Sequence, residues 1–425
     1  MIDHALYLIE ENKRTRSPFL NLGHCKLEYE IPKKLFECTW LEGINFNPTA
    51  WDRKYGRNEY PSKANEFSGE EFYALSRLPR LKELAFSDCG ISNIKFLANL
   101  TGLKSLDLGF NKLTSIQPLE QLVYLEFLNI GGNQVTDCSL LKQFTQLREL
   151  LIFKSQLSNL EPLATLKNLR EINACGNQIS NLRPLSTLVQ LEKLDLESNK
   201  IDDLWPLKDL IKLNNLNLED NEISQLESLE TLTALKHLNL NKNEITHLRP
   251  LTKLTNLVEL QLNDNRISYI DPLTEIQSLS TIGLANNRIE FFNDYHLTRL
   301  PNLNHIRLSG NPIRNLPANI VNQYNCFTEV KYHFFPRPTP STQPAEVPVK
   351  TGTTTTSTGQ TVKPKPAQEN TEDARNQAKV FAVLFSLIAV MLILMGGALR
   401  GVGIVIAFTT IVPLLQVIAD LFKRK

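Results

Sequence analysis

Between Leu81 and Ile313 the apolar positions recur in one arrangement, L-x-x-L-x-L-x-x-N-x-[LI]. Its first leucine falls at Leu81, Leu103, Leu125, Leu147, Leu169, Leu191, Leu213, Leu235, Leu257 and Leu279, each step being 22 residues, and an eleventh copy starts at Leu303 after a step of 24. A fixed period of this length marks stacked repeats. Within one copy Leu106 and Leu108 alternate with Ser105 and Asp107, a period of two that predicts a short strand with one buried face. Equal spacing then sets neighbouring strands side by side in a parallel sheet. Leu113, Ile116, Leu119 and Leu122 line the return, where Pro118, Pro162, Pro184, Pro206, Pro250 and Pro272 stand in one column. Proline carries no N–H, so the return is predicted as 3₁₀ or extended chain rather than a long α-helix. Each buried apolar slot contributes about 1.5–3 kcal/mol before the entropy of ordering is subtracted.

A polar column accompanies the apolar ones: Asn111, Asn133, Asn177, Asn199, Asn221, Asn243, Asn265, Asn287 and Asn311. The chain leaves the sheet there with unpaired N–H and C=O groups. An amide side chain donates and accepts at once, so stacked asparagines are expected to satisfy those groups rung by rung. Cys25 and Cys89 occupy the same slot, and Ser155 interrupts it, predicting a weaker rung.

Upstream the pattern degenerates. Residues 2–13 alternate apolar and charged positions as a short amphipathic helix would. Leu20, Leu22, Cys25 and Leu27 mark one imperfect copy; Leu41, Ile44 and Phe46 mark another. Residues 47–66 interrupt the period with Pro48, Gly56 and Pro61, predicting a surface loop, and Phe67–Leu78 is expected to be a short helix. Irregular terminal copies serve as caps over a core that would otherwise be open.

These residues resemble the leucine-rich repeats, and "LEKLDLESNKIDDLWPLKDLIK" from Leu191 shows the motif whole. The length, with Pro near position 16, is similar to the internalin-type repeats and to those of the nuclear regulatory subunit of protein phosphatase one. The caps resemble those of bacterial intracellular leucine-rich-repeat proteins. The resemblance implies an α/β repeat solenoid, a right-handed superhelix with a concave parallel sheet and a 3₁₀ or extended convex side. Fold likeness of this kind says little about function.

On that scaffold the outward-facing strand positions are the candidate surface. Phe127, Leu151 and Phe153 fall on adjacent strands at outward slots, with Phe110 one rung away; this predicts an exposed apolar anchor for a partner. Beyond it the face turns acidic. Glu171, Asp195, Glu197, Glu219, Asp220, Glu259 and Asp264 stand against Lys193, His237 and Lys242. The expected partner is a protein with a basic, partly apolar segment. The competing expectation is that the phenylalanines fold over their neighbours and the acids merely solvate the face. Trp205, beside the proline column, is either an exposed convex aromatic or cover for a neighbouring turn.

Composition narrows the classes. The chain has 425 residues and a formal net charge of +1, so no global nucleic-acid signature exists. Six cysteines, Cys25, Cys38, Cys89, Cys138, Cys175 and Cys326, form no C-x-x-C pair, and buried thiols rather than metal ligands or disulfides are expected. No secretory signal is visible in residues 1–16, which favours a reducing compartment. No phosphate loop, G-x-S-x-G, H-E-x-x-H or dinucleotide fingerprint occurs, and His237, His247 and His305 fall in different columns. A non-enzyme without cofactor or metal is expected. Asn99-Leu100-Thr101 is a lone glycosylation triplet.

After the repeats the pattern changes twice. Asn315–Ile320 and the aromatic stretch behind it are expected to close the core, so the domains divide as cap 1–80, solenoid and C-terminal cap 81–335, linker 336–378 and membrane segment 379–425. The linker is rich in Pro and Thr and is expected to be disordered, with a reach of roughly 35–40 Å. Val380–Leu399 and Val402–Phe422 are apolar runs broken by Arg400 and Gly401. Each as a helix is about 30 Å long, so residues 380–422 are expected to form a hairpin in a lipid bilayer. Arg375, Lys379, Lys423, Arg424 and Lys425 flank the runs, placing both ends and the repeats in the cytoplasm by the positive-inside rule. Three functions fit: a membrane-anchored scaffold recruiting a protein partner, a surface-exposed adhesion or secreted effector protein, or a regulatory subunit of a phosphatase or other enzyme.

Overall fold

The computed structural model describes residues 2–314 apart from 24, 29, 48–50, 53–55 and 58–64. The expected cap from Asn315, the linker and the membrane hairpin lie outside the described residues. Among the described residues no helix is long and apolar enough to cross a membrane.

Helix α1 (Ile2–Thr15) opens the chain and buries Ala5 and Ile9. Strands β1 (Phe19–Asn21) and β2 (Gly43–Asn45) follow, then a two-stranded antiparallel hairpin of β3 (Trp51–Asp52) and β4 (Gly56–Arg57). One three-residue strand per repeat comes next: β5 (Glu83–Ala85), β6 (Ser105–Asp107), β7 (Phe127–Asn129), β8 (Glu149–Leu151), β9 (Glu171–Asn173), β10 (Lys193–Asp195), β11 (Asn215–Asn217), β12 (His237–Asn239), β13 (Glu259–Gln261), β14 (Thr281–Gly283) and β15 (His305–Arg307). All but the hairpin form one parallel sheet of thirteen strands in chain order. The register never slips, so Leu194 pairs with Ile172 on one side and Leu216 on the other.

The returns are 3₁₀ helices, as the proline column requires: Gln117–Leu119, Glu161–Leu163, Arg183–Leu185 and Trp205–Leu207 each hold Pro in their first turn. Phe67–Leu78, expected as a helix, contains a 3₁₀ helix over Glu70–Arg77. The leucines of strand and return are buried along the whole array, and Phe46, Phe72 and Phe86 thicken the core near its start. A later helix, α2 (Asp294–Thr298), falls in the one repeat with the 24-residue step. Trp205 stands open on the convex side at 64% exposure, with the Lys208 ammonium 5.0 Å from its ring, and so covers no neighbouring turn.

The asparagines are bonded as follows. Asn221 Nδ2 donates to Leu196 O of the preceding rung (3.0 Å) and to Leu218 O of its own (3.1 Å), while its Oδ1 accepts from Ile201 N (3.0 Å). The same set recurs from Asn111 to Asn311. The residue before each ladder position turns left-handed, from Phe110 (φ 51°) through Ser198, Asp220 and Lys242 to Gly310 (φ 75°). A carbonyl is thereby turned away from the helical path, at a cost of about 1–2 kcal/mol wherever the residue is neither Gly, Asn nor Asp.

Residues 47–66 are more than a loop. Asn65 is fully buried; its Nδ2 donates to Phe46 O (2.7 Å) and Leu22 O (3.3 Å), and its Oδ1 accepts from Leu27 N (2.7 Å). These are the bonds of a ladder asparagine. The insertion therefore splits the second degenerate copy between its strand and its ladder residue.

Candidate functional site

Each strand points its central residue into the core and its outer two into the concavity, because successive side chains alternate. The residue two places past the strand faces the same way. Along β9 to β13 these positions carry five carboxylates, Glu171, Asp195, Glu197, Glu219 and Glu259, against Lys193, and the left-handed bend residues one place further on add Asp220 and Asp264 against Lys242. Lys193 pairs with Glu171 (2.9 Å) and Lys242 with Glu219 (2.7 Å); His237 Nδ1 lies 3.3 Å from Glu259. Side-chain amides hold the acids in place: Asn217 Nδ2 donates to Glu197 Oε2 (3.1 Å) and Asn239 Nδ2 to Glu219 Oε2 (3.0 Å). Ser198 Oγ donates to Asp220 Oδ2 (2.8 Å).

Several groups in this band titrate away from their ordinary values, Asp195, Cys175 and Glu219 among them. Burial, reinforced by the neighbouring Glu197 charge, pushes the Asp195 carboxyl up to about 6, although its Oδ1 accepts from Glu197 N (3.1 Å). Burial together with Asp195 and Glu197 pushes the Cys175 thiol up to about 11, which keeps it a thiol and a poor nucleophile at neutral pH. Glu219 is held below the ordinary carboxylate range by Lys242, Asn239 and Asn241 in spite of its desolvation.

The expected apolar anchor is corrected by the structure. Phe127, Leu151 and Phe153 are only 4%, 6% and 7% exposed, with Phe110 and Cys175 partly buried against them. Phe153 lies flat across Gly131 and Phe110 across Gly132, so closely that a Cβ on either glycine would sit 2.6–2.7 Å from a ring carbon. The two rings meet at a centroid distance of 5.1 Å. Outward backbone slots thus do not mean exposed rings when the adjacent rungs are glycine; the Gly131-Gly132 pair was the available signal.

The adjoining floor is a buried polar network. Asp107, 4% exposed, accepts from Asn47 Nδ2 (3.0 Å), Gly109 N (3.1 Å) and Asn129 Nδ2 (2.8 Å). Among the described residues no group of His, Cys, Asp or Glu is arranged to hold a metal ion. Cys25, Cys38, Cys89 and Cys138 are free and buried, matching their small apolar slots, and burial raises each thiol. Cys326 lies outside the described residues.

Family models of leucine-rich repeats match residues 79–121, 167–211 and 233–275, and a second such model matches 255–313. Over those residues the chain carries leucine-rich repeats. No curated protein matches the chain. Among solved structures, this leucine-rich-repeat array is similar to an internalin of Listeria monocytogenes, with 28% identity over 70% of this chain and 88% of that one and a TM-score of 0.59. It is also similar to a leucine-rich-repeat protein of Leptospira interrogans, with 26% identity, 74% and 79% of the two chains covered, and a TM-score of 0.62.

Proposed function

We propose that the leucine-rich-repeat array is a non-enzymatic scaffold that binds a protein partner, and that the partner presents a basic segment to the concave face from β9 to β13. The observation carrying this reading is the excess of carboxylates over Lys193 and Lys242 on five adjacent strands. Asp195, Glu197, Glu219 and Asp220 are the residues most concerned. Fixed charges across a curved wall steer an oppositely charged partner and set its register more than they add raw affinity. The buried phenylalanines supply no anchor for it in this conformation.

The finer reading adds recruitment to a membrane, with the repeats on the cytoplasmic side. It is supported by the two apolar runs within residues 380–422 and the cations flanking them. Residues 336–378 then act as the tether.

The test is a pull-down with the full chain and a Glu197→Lys/Asp220→Lys variant, each repeated at low and high salt. Loss of the captured partner in the folded variant, and salt-sensitive capture by the native chain, are expected. Equal capture by both chains overturns the acidic band. Alkaline carbonate extraction of cell membranes tests the tether, because release of the chain into the supernatant removes it.

The internalin likeness favours a second reading, an outward-facing adhesion protein. Protease added to intact cells distinguishes the two, since only an outward-facing repeat array is cut without permeabilisation.

A further inference from the structure

The asparagine ladder joins each rung to the one before it, and it is interrupted at two rungs that follow another repeat strand, those of Cys89 and Ser155. Neither side chain carries an amide, so neither supplies the pair of bonds by which Asn221 donates to Leu196 O and accepts from Ile201 N. The backbone differs at the same two places. Gly90 (φ 70°) and Gln156 (φ 58°), the residues just after the gaps, are left-handed, as is Lys26 after Cys25 in the first rung. At Cys89 the peptide has turned over so that its own carbonyl accepts Phe67 N (3.0 Å), the job the amide oxygen does elsewhere. At Ser155 the hydroxyl donates only within its own turn, to Phe153 O (3.1 Å).

Each gap is bridged on the concave side. Beside Cys89 the bridge is polar. Cys89 Sγ itself keeps the ladder's donor bond, to Phe46 O (3.4 Å), and beside it Asn47 Oδ1 accepts from Ser87 N while Asn47 Nδ2 donates to Asp107 Oδ2. Beside Ser155 the bridge is aromatic. Phe153 belongs to the gap rung, lies on Gly131 of the preceding rung and meets Phe110 of the rung before that.

We propose that the Phe110–Phe153 pair is a splint, holding the β8 rung to β7 and β6 where Ser155 leaves the ladder without an amide. The paired glycines are its seat, and the cluster is conformational machinery rather than a docking surface. The splint is independent of the acidic band, which starts one strand further on. In a solenoid the backbone bonds run only between neighbouring rungs, so an unsplinted gap is a place where the array opens locally.

A double-mutant cycle with hydrogen exchange tests the proposal. Phe153→Ala in the full chain is expected to speed exchange in peptides spanning 130–135 and 150–157 by about tenfold, with the peptides around Asn243 unchanged. In a Ser155→Asn background, where an amide restores the rung, the same substitution is expected to speed exchange by less than about threefold. An equal effect in both backgrounds overturns the splint, because loss of a packed ring alone predicts additivity. Should Ser155→Asn not fold, Asn221→Ser makes a gap with no aromatic cover. Exchange across 196–201 and 218–223 in that variant is then expected to exceed exchange across the native Ser155 gap, and a rate no faster overturns the proposal.

Discussion

At the scale of single residues, the amide side chain does what no other can at the bend. Asn221 makes three donor contacts and one acceptor contact within two rungs. Asn221→Ala leaves a buried N–H and buried carbonyls unpaired, and a loss of about 2–3 kcal/mol in urea denaturation is expected. Asp195 acts in the opposite sense. Its folded-state value of about 6 exceeds the ordinary 3.8, so the folded chain keeps a proton that the unfolded chain has lost. Stability from this group therefore falls as pH rises from about 4 to 6, and the penalty is fully present above 6. Asp195→Asn is expected to flatten that decline and to raise stability at pH 7 by up to about 2 kcal/mol, checked by urea midpoints at pH 4.5 and 7. The ladder positions were legible one by one, because each lies a fixed distance from its leucines. Asn65 was not: its spacing from Phe46 is stretched by the insertion, and only its hydrogen bonds identify it.

At the scale of elements, the strand and the return were both legible, for different reasons. Alternation marks a three-residue strand even when so short, because ten copies repeat it. Proline marks the return by what it forbids. The lie of the side chains on the concave face was not legible, since an outward slot fixes where a Cα–Cβ bond points and nothing about where a ring comes to rest. Gly132 shows the difference. It has a φ of 69° and the Phe110 ring against it. Gly132→Val is expected to cost about 2–4 kcal/mol through strain and overlap together, measured as a drop in the thermal midpoint. The insertion belongs to this scale as well. Deleting residues 48–63 restores two residues between Phe46 and Asn65, and circular dichroism is expected to show the solenoid intact.

At the scale of the whole molecule, the array behaves as a stack with nearest-neighbour bonds. Removing one complete period, residues 213–234, joins Lys212 to Leu235 and preserves every slot. That chain is expected to unfold cooperatively with a lower denaturant slope, whereas removing half a period is expected to leave no cooperative transition. The solenoid was readable from the sequence at this scale because each rung repeats the same physical problem. The partner was not, because identity of fold leaves the outward residues free to vary. The unslipped register has a further consequence. A wall whose divisions recur every 4.8 Å or so is a ruler, and a ligand seated on one division meets nearly the same backbone on the next. Discrimination must then reside in marks that do not recur, such as the lone Gly283 in a column composed mostly of amides and acids or the Arg307 that ends it. A ligand that ignores those marks would be free to creep along the scale.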